Sequence, residues 1–117
     1  MAANLHAQGD LHAALDAYQE IVRLTPQDPF LHWKLGELFR DLEDYHSAIV
    51  AYREALRLRP SYYQVHYALG YLLKDLGQLQ EAAGHLREFL RFAPKARVYQ
   101  DRARRVKEDL QNLDPSP

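Results

Sequence analysis

The side chains best equipped for chemistry are six histidines, and their spacing argues for packing before metal binding. His32 and His66 lie 34 residues apart, as do His12 and His46. If that interval is a structural repeat, His32 and His66 sit on neighbouring helices, where two imidazoles could approach. A protein metal site generally takes at least three protein ligands, and no third falls at a matching spacing. His12 and His46 read as surface positions. The hydroxyl inventory is short, with Thr25, Ser47, Ser61 and Ser116, and none of these lies in a strand–turn–helix elbow of the kind that exposes a nucleophile. There is no glycine-rich phosphate loop and no His-Glu-x-x-His. The adjacent carboxylates Glu43 and Asp44 sit in a polar turn, whereas acid–base work needs a pocket that shifts proton affinities. No enzyme activity, metal or cofactor is expected.

The composition narrows the choice further. The chain has 117 residues and no cysteine, which removes disulfides, thiolate catalysis and cysteine-held metal clusters. At 47% hydrophobic it is too apolar for a disordered chain, and its length suits one domain. A net charge of −1 argues against strong non-specific nucleic-acid binding, and no specific nucleic acid is expected as a partner. No apolar run approaches the roughly 20 residues of a membrane-spanning helix. The start, Met1 to His6, has no basic stretch followed by an apolar core, so a cytoplasmic location is expected.

The elements that must position these side chains announce themselves by repetition. Pro26, Pro60 and Pro94 recur at intervals of 34, and so do Ala14, Ala48 and Ala82. Leu24, Leu58 and Phe92 keep the same interval, as do Val22, Leu56 and Leu90. Leu35-Gly36 returns as Leu69-Gly70. Within a period the apolar residues fall at helical spacing over 29–41 and again over 45–58. Each proline ends a second helix, since it lacks a donor and disfavours helix in the residue before it. Asp28 and Ser61 offer N-cap oxygens to the helices that follow. Glycine in a helix costs about 1 kcal/mol against alanine. Its recurrence at 36 and 70 predicts that a second helix crosses there, with Ala48 and Ala82 as the small partners.

A 34-residue helix–turn–helix with these residues resembles the tetratricopeptide repeat (TPR). Residues 29–62 carry the pattern in Leu35, Gly36, Phe39, Ala48, Tyr52, Ala55 and Pro60. Residues 63–96 carry it in Leu69, Gly70, Leu73, Ala82, Leu86 and Pro94. Residues 1–28 keep the second half: Gly9, Ala14, Tyr18, Ile21 and Pro26. There are departures. His32 and His66 stand in the family's tryptophan column, with Trp33 one place later. Glu43 replaces the turn glycine, at a cost of about 1 kcal/mol if that residue needs positive φ. Phe89 replaces a small residue and Gly84 interrupts a helical run. The resemblance implies an all-α right-handed solenoid forming a single domain over 1–113: a partial repeat 1–28, whole repeats 29–62 and 63–96, and a capping helix over 97–113.

The ends differ. Counting back from Pro26 leaves only residues 2–8 for the first helix of repeat one, followed by a second helix over 11–24. Either the chain is a piece of a longer protein, or a second copy completes that face. At the other end Val98, Tyr99, Ala103, Val106, Leu110 and Leu113 form an apolar stripe suited to a capping helix. The tail 114–117 is expected to be disordered. The stretch 85–107 is basic, with Arg87, Arg91, Lys95, Arg97, Arg102, Arg104, Arg105 and Lys107 against Glu88 and Asp101. A solvated capping surface accounts for it; the functional alternative is an anionic partner.

The resemblance also implies that the first helix of each repeat lines a concave groove. In repeat two it points there Phe30, Trp33, Lys34, Glu37, Arg40 and Asp41. In repeat three it points there Gln64, Tyr67, Ala68, Tyr71, Lys74 and Asp75, and on the capping helix Val98, Asp101, Arg102 and Arg105. Aromatic anchors with a charged rim have the composition of a protein-binding hot spot. The expected partner is a protein or peptide, held as an extended segment or a helix. TPR modules that grip a chaperone's C-terminal carboxylate use a Lys/Asn/Lys/Arg clamp. Here those columns hold Trp33 and Glu37, Lys34, and Gln64 and Ala68, so that partner class is not expected. The competing readings are a self-associating homo-oligomer and a specificity arm of a larger enzyme.

Overall fold

The computed structural model describes residues 2–113, with side chains from residue 9 onward, and all regular structure among them is helical. The expected tail over 114–117 lies outside the described residues. The chain forms two units, Met1–Pro60 and Ser61–Pro117. The first holds α1 (Ala2–Leu24), α2 (Pro29–Asp41) and α3 (Tyr45–Leu58). The second holds α4 (Tyr63–Asp75), α5 (Leu79–Phe92), a 3-10 turn (Arg97–Tyr99) and α6 (Gln100–Leu113).

The paired helices begin and end for local reasons. In the first unit Asp28 caps α2 by accepting from the Phe30 N–H at 3.0 Å, with Pro29 in the first turn. Asp44 caps α3 through the Ser47 N–H at 3.3 Å. In the second unit the cap of α4 is Tyr62 and not the expected Ser61. Tyr62 is buried and caps with no side-chain bond, while its carbonyl accepts from Val65 and His66. Burial of its ring fixes where the chain enters the helix, and this outweighs the hydroxyl next door.

The turn inside each pair is the same in both units. Glu43 has φ 63° and Gly77 has φ 84°. In the first unit Glu43 N–H donates to the Arg40 carbonyl and Asp44 N–H to the Phe39 carbonyl, both at 2.9 Å. In the second, Gly77 donates to Lys74 and Gln78 to Leu73, at 3.0 and 2.9 Å. This is the Schellman closure, which requires a left-handed residue just past the helix. Glu43 therefore does hold the strained conformation that its place in the repeat foretold.

The glycines mark the crossings. A Cβ on Gly36 would lie 2.5 Å from the Tyr52 ring, and one on Gly70 would lie 2.7 Å from Leu86 Cδ2. The nearest atoms at these crossings come from Tyr52 and Leu86, while the small partners Ala48 and Ala82 are themselves fully buried. The Ala82 carbonyl lies 3.4 Å from the position above Gly70. Four residues further on, the larger side chains lean back over the preceding turn toward the glycine. Ala48, Tyr52 and Ala55 are sealed in the first unit, as are Leu69, Ala82, Leu86 and Phe89 in the second. Fully burying Leu69, Leu86 and Phe89 is worth about 1.5–3 kcal/mol each. Phe89 is a core residue, and α5 runs through Gly84 unbroken.

Two further expectations are corrected. Residues 2–24 form one continuous helix, with no turn near Gly9 and Asp10. Continuing the helix adds one backbone bond per residue instead. At the other end α6 starts at Gln100, and Val98 is 79% exposed in the preceding 3-10 turn, outside the apolar stripe. Val106 is sealed, with Leu110 and Leu113 packed beside it on the Leu86–Phe89–Ala93 core. No helix among the described residues is long and apolar enough to cross a membrane.

Candidate binding surfaces

In the first unit the sequence-predicted residues lie along α2. Phe30 and Trp33 meet edge to face, 5.8 Å between ring centres. The Lys34 ammonium stands 5.2 Å from the Trp33 ring centre and 5.7 Å from that of Phe30, within cation–π range. Phe30 is 44% exposed and Trp33 half-buried. One turn on, the Arg40 guanidinium meets Glu37 at 2.7 Å and Asp41 at 3.3 Å, so the cation at that end is fully compensated by carboxylates. Tyr52 lies sealed nearby; burial first, and then the Glu37 carboxylate, push its phenol well above the ordinary range.

In the second unit α4 carries a row of tyrosines at successive turns, Tyr63, Tyr67 and Tyr71. Tyr67 and Tyr71 meet edge to face at 4.9 Å, and Tyr67 rests on Phe89 at 5.0 Å. From α6, the Arg102 guanidinium covers Tyr67 at 4.9 Å. Lys74 lies 5.9 Å from the centre of Tyr71. The Tyr71 hydroxyl donates to Asp109 Oδ2 at 2.5 Å. Burial and then Asp109 raise its phenol, while the positive charge of Arg105 opposes them. Tyr63 and Tyr99 share a hydroxyl–hydroxyl bond at 3.0 Å. All three α4 rings keep part of their surface in water. Gln64 is half-buried, and its Oε1 is buried with no hydrogen-bond partner among the described residues.

Of the expected residues, α2 thus brings together Phe30, Trp33 and Lys34, and separately Glu37 with Arg40. The second unit brings together Tyr67, Tyr71, Lys74, Arg102 and Arg105. Ala68 is buried and offers no surface. Sequence reasoning missed Tyr63, Tyr99 and Asp109. The turn spacing from Tyr67 could have found Tyr63. Asp109 had no signal, because α6 lies outside the repeat columns.

The two histidines of the tryptophan column are each held by neighbours in their own unit. His32 Nε2 bonds the Pro26 carbonyl at 2.8 Å. His66 is buried, with its ring stacked on Phe92, and its Nδ1 lies 3.0 Å from His85 Nδ1. One imidazole must donate there and the other accept. Glu81 stands 3.6 Å from His85 Nε2. Among the described residues no group of three His, Cys, Asp or Glu side chains could hold a metal. His12 and His46 are exposed.

Paired helices, Schellman turns and glycine crossings repeated every 34 residues define the class, and comparison with known proteins agrees. The family model described as TPR repeat matches residues 36–77, and the one described as tetratricopeptide repeat matches residues 63–95. The chain is a tetratricopeptide-repeat protein. No curated protein matches it in sequence. Among solved structures it is similar to the type III secretion translocator chaperone SycD of Yersinia enterocolitica. That likeness has TM-score 0.82 and 19% identity over 97% of this chain and 79% of that one. It is also similar to PcrH, solved in complex with the chaperone-binding region of PopD, with TM-score 0.79 and 18% identity over 96% and 84%. The first TPR of Spaghetti (RPAP3), bound to the HSP90 peptide SRMEEVD, gives TM-score 0.73 and 21% identity over 92% and 86%. At these identities the shared property is the fold.

Proposed function

We propose that this protein is a non-catalytic interaction module that binds a peptide or helix through the aromatic faces of α2 and α4, as a scaffold or adaptor. In this reading residues 1–113 act as one domain and each unit supplies its own anchors. Phe30 and Trp33 with Lys34 serve in the first; Tyr67 and Tyr71 with Lys74, Arg102 and Arg105 serve in the second. The observation that carries the reading is that these rings stay partly open to water while cations stand over them, so an apolar side chain with an acidic neighbour would find both partners ready. Peptide-bound relatives of the same fold support it: PcrH with PopD, SycD with a peptide of YopD, and RPAP3 with an HSP90 peptide. The missing carboxylate clamp weighs toward a partner held by apolar anchors instead of a chain terminus.

The test is selection of peptides from a random display library against the full chain, followed by calorimetric titration of the winners. Trp33→Ala or Arg102→Ala should weaken the selected peptide by roughly tenfold or more while the thermal midpoint stays near that of the wild type. Affinity unchanged in both variants would overturn the reading.

A second reading, self-association, is favoured by α1. None of its described side chains is buried, and Ile21 and Leu24 are 45% and 66% exposed. Sedimentation equilibrium showing monomer alone at high concentration would remove it.

A further inference from the structure

We propose a second docking site, distinct from the aromatic faces, in the cleft between the end of α5 and the outer face of α6, and we assign it to an acidic peptide carrying an apolar anchor residue. The cleft holds about 460 Å³ and belongs wholly to the second unit. Leu90, Ala93, Tyr99 and Ala103 form its apolar floor, and Lys95, Arg104 and Lys107 stand around it. No acidic residue is among its lining residues.

Helical geometry separates this face from the one already described. On α6, Gln100, Ala103, Arg104 and Lys107 share one stripe at successive turns. Arg102 and Asp109 lie on another, turned toward Tyr67 and Tyr71. The two stripes can be occupied independently.

The floor is preformed. Tyr99 is fixed by its hydroxyl bond to Tyr63 and by an edge-to-face contact with the same ring at 5.5 Å. Ala93 ends α5 in an extended conformation and is buried, and Val106 seals the core beneath. Small residues at 93, 96 and 103 keep the cleft open where larger side chains would fill it. Its volume lies in the lower part of the range of small-ligand sites, about 300–1,000 Å³, which suits one or two anchor side chains.

The rim fixes the sign of the occupant. Lys95 and Lys107 enter no ion pair among the described residues. Arg104 reaches Asp101 only at 3.6 Å, with both side chains strongly exposed, so that pair is weak. Three cations around an apolar floor complement carboxylates flanking a leucine or phenylalanine. The basic stretch at 85–107, which a solvated cap accounted for, thereby gains a use. Nucleic acid fits less well, because the cleft offers a single aromatic ring, Tyr99, whereas single-strand sites stack successive bases on several rings.

The test uses the full chain and a short fluorescein-labelled peptide with leucine and phenylalanine between aspartate and glutamate residues, read by fluorescence anisotropy. Saturable binding is expected, lost at about 1 M salt, where the screening length falls to about 3 Å. The double variant Lys95→Glu, Lys107→Glu should bind about tenfold more weakly or worse. The Lys95→Arg, Lys107→Arg pair should retain binding, and circular dichroism should show both variants folded. Because the aromatic faces also suit an apolar residue with acidic neighbours, both lysine pairs are compared in a Trp33→Ala, Arg102→Ala background, where the dependence on Lys95 and Lys107 should persist; its disappearance there would overturn the proposal. Equal binding of a control peptide with serine in place of the apolar residues would overturn the proposal. So would unchanged affinity in the Lys95→Glu, Lys107→Glu variant. Binding of phosphatidylserine vesicles or single-stranded RNA through these lysines, without binding of the acidic peptide, would also refute it and reassign the cleft.

Discussion

The Tyr71 hydroxyl on α4 donates to the Asp109 carboxylate on α6 across 2.5 Å, joining two helices of the second unit through residues 38 apart in sequence. The same ring meets Tyr67 and carries Lys74 over it, so a side chain proposed to greet a partner also helps fasten α6. Binding and stability can be separated here, because the bond uses the hydroxyl and the proposed anchor uses the ring.

Tyr71→Phe should therefore destabilise the chain by about 1.5 kcal/mol, the worth of a hydrogen bond to a charged group. Urea unfolding of the full chain measures it. The affinity for a selected peptide should stay close to that of the wild type. Loss of affinity without loss of stability would show that the hydroxyl, and not the ring, meets the partner.

Stability should also fall at alkaline pH. Burial, reinforced by Glu37 for Tyr52 and by Asp109 for Tyr71, raises both phenols above their unfolded value. A raised value means that the native state holds its protons more tightly than the unfolded chain. The stabilisation is complete below the ordinary phenol value of about 10 and is lost progressively as pH climbs above it. The urea midpoint followed from neutral to strongly alkaline pH should decline beyond that point, and Tyr71→Phe should make the decline shallower. A flat profile would contradict the environment assigned to both rings.

Glu43→Gly should stabilise the first unit. Glu43 holds φ 63° where the equivalent turn uses Gly77. The left-handed conformation costs an L-residue about 1–2 kcal/mol, and the greater freedom of glycine in the unfolded chain returns part of that gain. A net rise of about 0.5–1 kcal/mol is expected by chemical denaturation. The Schellman bonds from Glu43 and Asp44 are backbone bonds and survive the change.

The paired helices were legible because their signals are local and repeated. Pro60 and Pro94 end α3 and α5, Asp28 caps α2, and the Leu-Gly pairs mark both crossings. The strain at Glu43 could be inferred from its column alone. The helix over 29–41 and the one over 45–58 fall where the apolar spacing placed them. Failures came where a neighbour decides the outcome. Ser61 lost the cap to Tyr62 because burial of a ring outweighs a hydroxyl's bond. Val98, read as part of a stripe, stands in water because the chain tightens into a 3-10 turn before α6 begins.

The sequence by itself determined the repeat, its helices and turns, and the identity of the aromatic and cationic residues along α2 and α4. Each of these follows from spacing within a few turns of one helix, and the 34-residue period states it more than once. Tertiary structure alone decided which side chains meet: Tyr71 with Asp109, His66 with His85, Tyr63 with Tyr99, and the cations of α6 with the apolar floor at the end of α5. Those pairings depend on how helices distant in sequence pack together, and α6 belongs to no repeat column that could have predicted its partners.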